Sequence, residues 1–431
     1  MIQTIRRPRA LHGTLSLPGD KSISHRYAML AALAEGPSRL QHFAASQDCH
    51  STLHCLRNLG IPISAEGHTV IVHGRGLHGL QKFDGVLDAG NSGTTIRLLS
   101  GILAGQSFDS SLTGDESLVR RPMGRILEPL QRMGAAVHAG EGGLPPLAIR
   151  AGNLHGIRYP LPVASAQVKS CLLLAGLYAD GPTAVEEIIP TRDHTELALG
   201  HFGATVTRQG NWIEVLPAPR LTGRDLDIPG DISGAAFFLA AAGLVADAEL
   251  RIPGCGLNGR RRAVLDYLQA CRLNITVEDE ITIAGEARGS LRICHCQPST
   301  QLVMPPIRGE LTAALIDELP ILAVLGCRAD SGLQIEDAAE LRVKESDRIA
   351  ALARNLNKMG ITVKENPDGL AIPGGQNFRG ADIEPAGDHR IAMAFAIAGL
   401  AAEGETRIHD AECVDISYPG FWHDLQKIVR A

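Results

Sequence analysis

Basic side chains occur at the beginnings of predicted helices in this sequence, where helix electrostatics favours acidic ones. The N-terminus of a helix carries a partial positive charge, so Asp and Glu are the stabilising residues there. This chain instead places a set of basic residues at such positions: Lys21, Arg26, Arg97, Lys169, Lys344, Arg348, His389 and Arg390. Exposed backbone N–H groups, the helix dipole and basic side chains together bind anions. The pattern therefore predicts anion-binding sites.

The spacing of the basic residues supports this interpretation. Three pairs are four positions apart, which predicts that both members share one helix face: Ser22 and Arg26, Arg121 and Arg125, and Lys344 and Arg348. Solvated basic residues that bind no ligand are the alternative for any single position. That alternative accounts less well for the whole set.

The basic positions recur because the sequence contains a repeat of about 70 residues, present six times. Each copy opens on a polar turn and continues into an Ala/Leu-rich helix, and the copies begin at Pro18, Ala89, Pro162, Pro229, Arg308 and Ala386. A second helical segment follows in each copy. The repeat is longer than the units of solenoids, which have about 20 to 50 residues. We therefore expect an α/β protein of six small modules grouped into globular domains.

Length and turn residues predict two domains. A chain of 431 residues exceeds the size at which one hydrophobic core stops growing. Residues 217–229 are rich in Pro and Gly and carry few helical signals, so we place a domain boundary there. Pro18-Gly19-Asp20 is echoed by Pro229-Gly230-Asp231. This echo suggests that the chain crosses between domains at both sites, giving one domain of residues 20–228 and another of residues 1–19 and 229–431.

Composition excludes several classes of protein. The net charge is −6 and no long run of Lys and Arg occurs, so a nucleic-acid surface is not expected. No apolar stretch is long enough for a signal peptide or a membrane span. The nine cysteines fit free thiols in a reducing compartment. We expect a cytoplasmic monomer.

Other candidate motifs fail on spacing. The segment Gly19-Asp20-Lys21-Ser22 lacks the earlier glycine of a Walker A sequence, and no dinucleotide fingerprint is present. Two His/Cys groups lack partners at zinc spacing, so no metal site is predicted: Cys49-His50 with His54-Cys55, and Cys294-His295-Cys296. Ser24-His25 has no neighbour that resembles the third member of a catalytic triad.

Seven segments in order resemble the family of 5-enolpyruvylshikimate-3-phosphate synthase. They begin with Leu17 to Arg26, Asn91-Ser92-Gly93-Thr94-Thr95-Ile96-Arg97 and Arg121-Pro122-Met123-Gly124-Arg125, and continue with Ser165 to Ser170, Asp317-Glu318, Arg342 to Arg348 and Gly387-Asp388-His389-Arg390. The resemblance covers essentially the whole chain. It implies two domains, each of three βαβαββ units arranged as an inside-out α/β barrel, with the active site in the cleft between them. It also implies transfer of the carboxyvinyl group of phosphoenolpyruvate to the 5-hydroxyl of shikimate 3-phosphate, in the chorismate branch of aromatic amino-acid synthesis.

The resemblance implies a binding role for each matching residue. Shikimate 3-phosphate would be bound by Lys21, Ser22, Arg26, Ser165, Gln167, Arg192, Asp317 and Lys344. Phosphoenolpyruvate would be bound by Lys21, Gly93, Arg121, Gln167, Arg348 and Arg390, with Asn91 and His389 in support. Asp317 would be the base for the 5-hydroxyl, and Glu345 and Lys21 the proton donors, with the division between these two left open. No metal or organic cofactor is required.

Two positions of this sequence differ from the family pattern, and two alternative functions were considered. Ala166 stands where many members have a second Ser, so Lys169 or Arg192 is a candidate to replace one phosphate hydrogen bond. No Lys precedes Tyr418-Pro419, where some members have one. The sister enzyme that acts on UDP-N-acetylglucosamine usually has a Cys in the region of residues 107–123, and this chain has none there. The acidic charge and low aromatic content disfavour an RNA-processing protein built from related repeats.

Gly93 carries one further expectation. The resemblance places this residue against phosphoenolpyruvate, where glyphosate competes in this family. A residue without Cβ lets backbone and ligand approach closely. We expect glyphosate sensitivity, with a turn that needs glycine for its backbone geometry as the alternative reason for Gly93.

Overall fold

The chain forms two compact units with separate hydrophobic cores. The structure is a computed structural model that describes residues 1–295 and 302–430. The N-terminal unit comprises Gly19–Ile228 and Ile283–Glu286, and the C-terminal unit comprises Met1–Pro18, Pro229–Thr282 and the chain from Ala287 onward. Each unit encloses its own cluster of buried apolar side chains. The short segment 283–286 was not foreseen as part of the N-terminal unit.

Helices make up much of both units. The described residues contain thirteen α-helices: α1 Lys21–Leu33, α2 Gln47–Asn58, α3 Gly93–Ala104, α4 Gly124–Arg132, α5 Ala166–Gly176, α6 His194–Phe202, α7 Ile232–Leu244, α8 Ala263–Ala270, α9 Glu310–Leu315, α10 Leu319–Arg328, α11 Arg348–Lys358, α12 His389–Gly399 and α13 Phe421–Ile428. Short 3₁₀ helices cover Leu118–Arg120, Glu141–Gly143, Ala339–Val343 and Ala411–Ile416. No helix in this part of the chain is both long and apolar enough to cross a bilayer.

The strands are short and lie between the helices. Within residues 1–295 and 302–430 they are β1 Gln3–Ile5, β2 Ala10–Thr14, β3 Glu35–Gln41, β4 Ile63–Glu66, β5 Thr69–Arg75, β6 Val86–Asp88, β7 Ser110–Thr113, β8 Ala136–Ala139, β9 Leu147–Arg150, β10 Arg158–Pro160, β11 Thr183–Glu186, β12 Val206–Gln209, β13 Trp212–Val215, β14 Asp225–Asp227, β15 Ala248–Gly256, β16 Ile275–Ile283, β17 Glu286–His295, β18 Leu333–Ile335, β19 Lys364–Asn366, β20 Gly369–Ile372, β21 Asp382–Ile383, β22 Thr406–Ile408 and β23 Val429–Arg430.

The N-terminal unit has three sheets of one topology. Their strand orders are β14-β3-β5-β4, β6-β7-β9-β8 and β10-β11-β13-β12. In each sheet the first two strands are parallel and the other neighbours are antiparallel. A parallel pair requires a crossover connection, and in the second and third sheets α3 and α5 supply it. The βαβαββ order is therefore visible directly in the chain order of these two repeats.

The C-terminal unit contains the sheets β16-β17-β15-β2-β23, β18-β20-β19 and β1-β22-β21. Strand β2 pairs in parallel with β15, and β21 in parallel with β22, so the same module recurs. Strand β2 ends at Thr14, before the turn at Pro18 that opens the first repeat. The mixed α/β fold with two units agrees with the prediction from the repeats.

The first helix of most repeats is buried on nearly all sides. In α1 every residue from Ile23 to Leu33 is buried, and in α12 every residue from His389 to Gly399. Helices that are apolar all round belong inside a core. Their N-termini are capped by acidic or hydroxyl side chains that accept a backbone hydrogen bond, as at Asp20, Ser92 and Asp388. Buried, capped helices therefore give the basic residues in their first turns a rigid support.

The fifth repeat departs from the predicted pattern. The repeat pattern predicted an Ala/Leu-rich helix directly after the turn at Arg308, but α9 stops at Leu315 and the apolar helix α10 begins only at Leu319. Pro320 occupies the first turn of α10, where its missing N–H is tolerated. The interruption between α9 and α10 contains Asp317.

Candidate active site

Lys21 is the first residue of α1 and is held by a carboxylate of α2. Its Nζ lies 2.9 Å from Asp48 Oδ2, and both side chains are largely buried. The helix N-cap is Asp20, which accepts the N–H of Ile23 at 2.9 Å. Ser22 follows and is half-buried at the start of the same helix. The ammonium group of Lys21 is therefore fixed in position by a largely buried carboxylate.

Arg26 is a buried cation whose hydrogen bonds go to uncharged oxygens. Its side chain is 4% exposed. Nε donates to Thr195 Oγ1 at 2.6 Å, Nη1 to the Ser22 carbonyl at 2.9 Å and Nη2 to Ser170 Oγ at 2.9 Å. Burial, followed by repulsion from Arg192, lowers the pKa of Arg26 to about 10. These contacts fix the guanidinium and leave one N–H on each of Nη1 and Nη2, because the group has five donors.

Gly93, Arg97 and Gln167 form a second group at the N-terminus of α3. Arg97 Nη1 donates to Gln167 Oε1 at 2.8 Å, and Gln167 Nε2 donates to Thr94 Oγ1 at 3.0 Å. Gly93 is buried, and a Cβ added to it would lie 2.7 Å from Arg97 Nη1 and 3.4 Å from Arg121 Nη1. The space beside Gly93 is therefore bounded by two guanidinium groups.

Arg121 reaches this region from the segment before α4. Nη2 donates to Asn91 Oδ1 at 2.8 Å and to Ser117 Oγ at 3.0 Å. Asn91 in turn donates to Asp115 Oδ2 at 2.8 Å. Arg121 is thus oriented by amide and hydroxyl oxygens, with Asp115 fixing the amide.

Ser165 and Arg192 lie at the ends of other elements of the N-terminal unit. Ser165 caps α5 and accepts the N–H of Val168 at 3.4 Å. Arg192 is half-buried two residues before α6, and its positive charge helps to lower the pKa of Arg26. Lys169, by contrast, is wholly buried, with Nζ 2.8 Å from Glu187 Oε1 and 2.6 Å from Glu196 Oε1. Lys169 is therefore part of an internal ion cluster, and the suggestion that it replaces a phosphate contact is wrong.

In the C-terminal unit, Arg348 is the centre of the ionic network. It begins α11 and is 1% exposed. Nε donates to Asp388 Oδ2 at 2.8 Å, Nη2 to Glu345 Oε2 at 2.6 Å, and Nη1 lies 3.7 Å from Asp317 Oδ1. Burial alone would lower the pKa of Arg348, but Asp388, Glu345 and Asp317 raise it above its usual value. This guanidinium joins both predicted proton-transfer carboxylates.

Arg390 follows the N-cap of α12 and is fixed to the break between α9 and α10. Its Nη1 donates to the Asp317 carbonyl at 2.7 Å and lies 3.8 Å from Glu318 Oε1. Glu318 is buried and also accepts from Ser233 and from Arg261. His389 is buried at the first position of α12. The break in the fifth repeat therefore brings Asp317 to both Arg348 and Arg390.

Comparisons with known proteins agree along the whole chain. The profile of the family described as "EPSP synthase (3-phosphoshikimate 1-carboxyvinyltransferase)" matches residues 5–425. A 3-phosphoshikimate 1-carboxyvinyltransferase of Solibacter usitatus is 52% identical over 98% of both chains, and one of Desulforudis audaxviator is 49% identical over 97% of both.

The chain belongs to the EPSP synthase family. An EPSP synthase structure from Acinetobacter baumannii superposes with a TM-score of 0.87 at 41% identity, covering 99% of this chain and 98% of the other. The resemblance deduced from seven segments is thereby confirmed, and so is the mixed α/β fold.

Two of the three predicted four-residue pairs do not share a helix. Ser22 and Arg26 both lie in α1. Arg121 ends a 3₁₀ turn before α4, so it does not share a helix with Arg125. Lys344 lies before α11, which begins at Arg348, and is half-buried. Sequence spacing therefore assigned the wrong local geometry to these two pairs.

Several residues that orient the site were missed by the sequence reasoning. They are Asp48, Ser170, Thr195, Glu318 and, as a ligand of Arg348, Asp388. Asp388 and Ser170 belong to segments that carry the family resemblance, so that signal could have found them. Asp48 and Thr195 lie outside those segments and become evident only through tertiary contacts.

The described residues contain no group of three or more His, Cys, Asp or Glu side chains placed to hold a metal ion. Of the two His/Cys groups in the sequence, Cys49 and Cys55 are buried in α2. Cys296 lies outside the described residues.

Proposed function

We propose that this chain transfers the carboxyvinyl group of phosphoenolpyruvate to the 5-hydroxyl of shikimate 3-phosphate and releases phosphate, as a step of chorismate and aromatic amino-acid synthesis. The observation that carries the proposal is the buried Arg26, whose hydrogen bonds go to uncharged oxygens. A buried cation without a directly bonded carboxylate is costly unless an anion binds it. Two phosphates and two carboxylates bring about five or six negative charges, which suits such cations.

Arg26 and its neighbours are assigned to shikimate 3-phosphate. The remaining N–H groups on Nη1 and Nη2 of Arg26 form a fork that suits a carboxylate. Ser22 lies on the same helix, and Lys344 in the C-terminal unit has no ion pair within the described part of the chain, which suits a ligand hydroxyl. The phosphate group is assigned to Ser165, Gln167 and Arg192, with Lys21 and Asp317 completing the set.

Phosphoenolpyruvate is assigned to the guanidinium groups that are already oriented by neighbours. Arg121 is fixed by Asn91, Arg348 by Asp388, and Arg390 by the Asp317 carbonyl. Fixed donors lose little entropy when an anion binds, and they stabilise charge that develops during the reaction. Lys21, Gly93 and Gln167 complete this subsite, with His389 in support.

The transfer requires a base at the 5-hydroxyl and a proton for the vinyl CH₂. Asp317 accepts the hydroxyl proton while the oxygen forms a bond to C2 of phosphoenolpyruvate, and Glu345 supplies a proton to C3. In the second stage C3 returns a proton to the Glu345 carboxylate, the C2–O bond to phosphate breaks as the C2–C3 double bond forms again, and Lys21 protonates the departing phosphate. Arg348 contacts both carboxylates, so the base and the acid share one cation.

We also place the enzyme in the cytoplasm as a monomer. Supporting the reducing compartment, the cysteines of the described residues are free, and most are buried. Burial raises the pKa of Cys55 and of Cys171 to about 12, which keeps these thiols protonated and unreactive.

The experiment is phosphate release with both substrates. The wild type should release phosphate with phosphoenolpyruvate and shikimate 3-phosphate together, and not when UDP-N-acetylglucosamine replaces the second substrate. Asp317→Asn should abolish most of this activity, whereas Asp84→Asn, at an exposed residue that pairs with Lys82, should not. Phosphate release with UDP-N-acetylglucosamine, and none with shikimate 3-phosphate, would show that the chain has the activity of the sister enzyme instead.

A further inference from the structure

Four side chains form a buried hydrogen-bonded chain from α1 through α2 to the N-terminus of α3. His25 Nδ1 lies 2.6 Å from Thr52 Oγ1, and Thr52 Oγ1 lies 2.7 Å from Thr95 Oγ1. Thr95 Oγ1 donates to Ser92 Oγ at 2.8 Å. His25, Thr95 and Ser92 are fully buried, and Thr52 is nearly so. The contacts assigned to the substrates use none of these four side chains.

The direction of each hydrogen bond in this chain is fixed by counting protons. Thr95 uses its single hydroxyl proton toward Ser92, so Thr52 must donate to Thr95. Thr52 then has no proton left, so Nδ1 of His25 must carry the proton and donate to Thr52. The Nε2 atom of His25 is buried and has no hydrogen-bond partner among the described residues.

Electrostatics around His25 is consistent with a neutral ring. Burial, with Lys21 and Arg26 nearby, lowers the pKa of His25 well below its usual value. A neutral imidazole has one N–H, and the hydroxyl chain requires it on Nδ1.

We propose that His25, Thr52 and Thr95 are positioning residues that hold Ser92, and through it the turn at Gly93, in the arrangement that receives phosphoenolpyruvate. This inference rests on the proposed function for the identity of the ligand. Ser92 is the N-cap of α3 and accepts the N–H of Thr95 at 3.1 Å, so its hydroxyl fixes the first turn of the helix. Gly93 is the next residue, and it borders Arg97 and Arg121. A shift of Ser92 would move the backbone of Gly93, although none of the side chains in the hydrogen-bonded chain is itself assigned to a ligand.

Kinetics of hydroxyl-deletion variants tests the proposal. Thr95→Val and Thr52→Val should each raise the KM for phosphoenolpyruvate about tenfold, the factor for a loss of one buried hydrogen bond. The KM for shikimate 3-phosphate and the kcat should change much less. Thr52→Ser, which keeps the hydroxyl, should restore the KM for phosphoenolpyruvate close to the wild-type value. Because the two Thr residues act in one chain, the double Val variant should be no worse than the worse single variant.

Thr183→Val is the matched control. Thr183 is equally buried in the N-terminal unit, and its hydroxyl has no hydrogen-bond partner among the described residues. This variant should leave both KM values unchanged. Equal rises in both KM values for the Thr52 and Thr95 variants, additive effects in the double variant, or no rescue by Ser would overturn the proposal.

Two measurements need no substrate and separate this proposal from the proposed function. Imidazole ¹⁵N chemical shifts should show the Nδ1–H tautomer of His25 at neutral pH, and an Nε2–H tautomer would contradict the donor order. Amide hydrogen exchange at residues 93–95 should accelerate in Thr52→Val and not in Thr183→Val. Unchanged exchange would overturn the positioning role, whereas an inactive wild type with accelerated exchange would count against the proposed function alone.

Discussion

Replacement of Gly93 by Ala should weaken the binding of glyphosate more than the binding of phosphoenolpyruvate, because the structure shows which atoms the added methyl group would meet. The backbone of Gly93 lies outside the positive-φ region that favours glycine, so Ala can adopt it without strain. The alternative explanation, that the turn itself needs glycine, therefore does not hold. The new methyl group would lie 2.7 Å from Arg97 Nη1 and 3.4 Å from Arg121 Nη1. Ala must displace Arg97 before any ligand binds.

The size of the effect follows from the contact that Arg97 would strain. Ordinary contact begins at 3.4 Å, so the guanidinium must retreat by about 0.7 Å. The same nitrogen donates to Gln167 Oε1 at 2.8 Å, and a hydrogen bond from a charged group contributes about 1.5–3 kcal/mol. Partial loss of this bond, about 1 kcal/mol, should raise the KM for phosphoenolpyruvate about fivefold. The family resemblance places glyphosate in this subsite, and because glyphosate is longer than phosphoenolpyruvate we expect it to need the space that the methyl group would occupy. A further clash of about 1.4 kcal/mol would raise its inhibition constant about tenfold more.

Inhibition curves against phosphoenolpyruvate measure both quantities. Gly124→Ala is the control, because Gly124 is also the first residue of a helix and a Cβ there would meet nothing within 4 Å. This control should behave as the wild type. Equal losses for glyphosate and phosphoenolpyruvate in Gly93→Ala, or a wild type that glyphosate does not inhibit, would refute the steric reasoning.

The remaining predictions concern charge, proton transfer and acid stability. Arg26→Ala should raise the dissociation constant of shikimate 3-phosphate about 10- to 100-fold and Arg121→Ala that of phosphoenolpyruvate, measured by calorimetry; equal losses of both ligands in both variants would contradict the assignments. Asp317→Asn and Glu345→Gln should lower kcat by about 10²–10⁴-fold with ligand binding nearly unchanged, and a loss confined to KM would contradict a proton-transfer role. His25 has a depressed pKa in the folded state, so the unfolded state binds its proton first and stability falls as the pH drops below 6.5. Urea unfolding measures the free energy of unfolding at each pH. Because Asn cannot titrate, His25→Asn should remove up to about 1.4 kcal/mol per pH unit of this loss. An unchanged pH dependence would mean that the pKa of His25 is not lowered in the folded state.

The helices of the repeats could be predicted from sequence because local signals specify them. Asp20, Ser92 and Asp388 are N-caps recognisable by residue type, and the Ala/Leu-rich segments after them are buried helices. The pairing of β14 with β3 could not be predicted in this way. This pairing joins Asp225 to Arg39, which are separated along the sequence by most of the N-terminal unit. No local sequence pattern specifies a partner so distant in the chain.

The geometry of the candidate site could be predicted from the sequence only in part. Lys169 has the same sequence context as the cations that were predicted to bind ligands, but Glu187, which follows β11, and Glu196 of α6 approach it only after folding. Asp317 was selected by the family resemblance, and the break that orients it, between the end of α9 at Leu315 and the start of α10 at Leu319, was not predicted. Whether a charge is satisfied by the protein or left for a ligand depends on tertiary neighbours, and sequence spacing does not report them.

Product analysis in D₂O tests the central claim most directly. The wild type should convert phosphoenolpyruvate and shikimate 3-phosphate into one phosphate and one carboxyvinyl ether on the 5-oxygen, observed by ³¹P and ¹H NMR. Because C3 is protonated in the first stage and deprotonated in the second, deuterium should enter the vinyl CH₂ of the product. Formation of pyruvate instead of the ether, an ether at another oxygen, or a product without deuterium would contradict the proposed addition–elimination reaction.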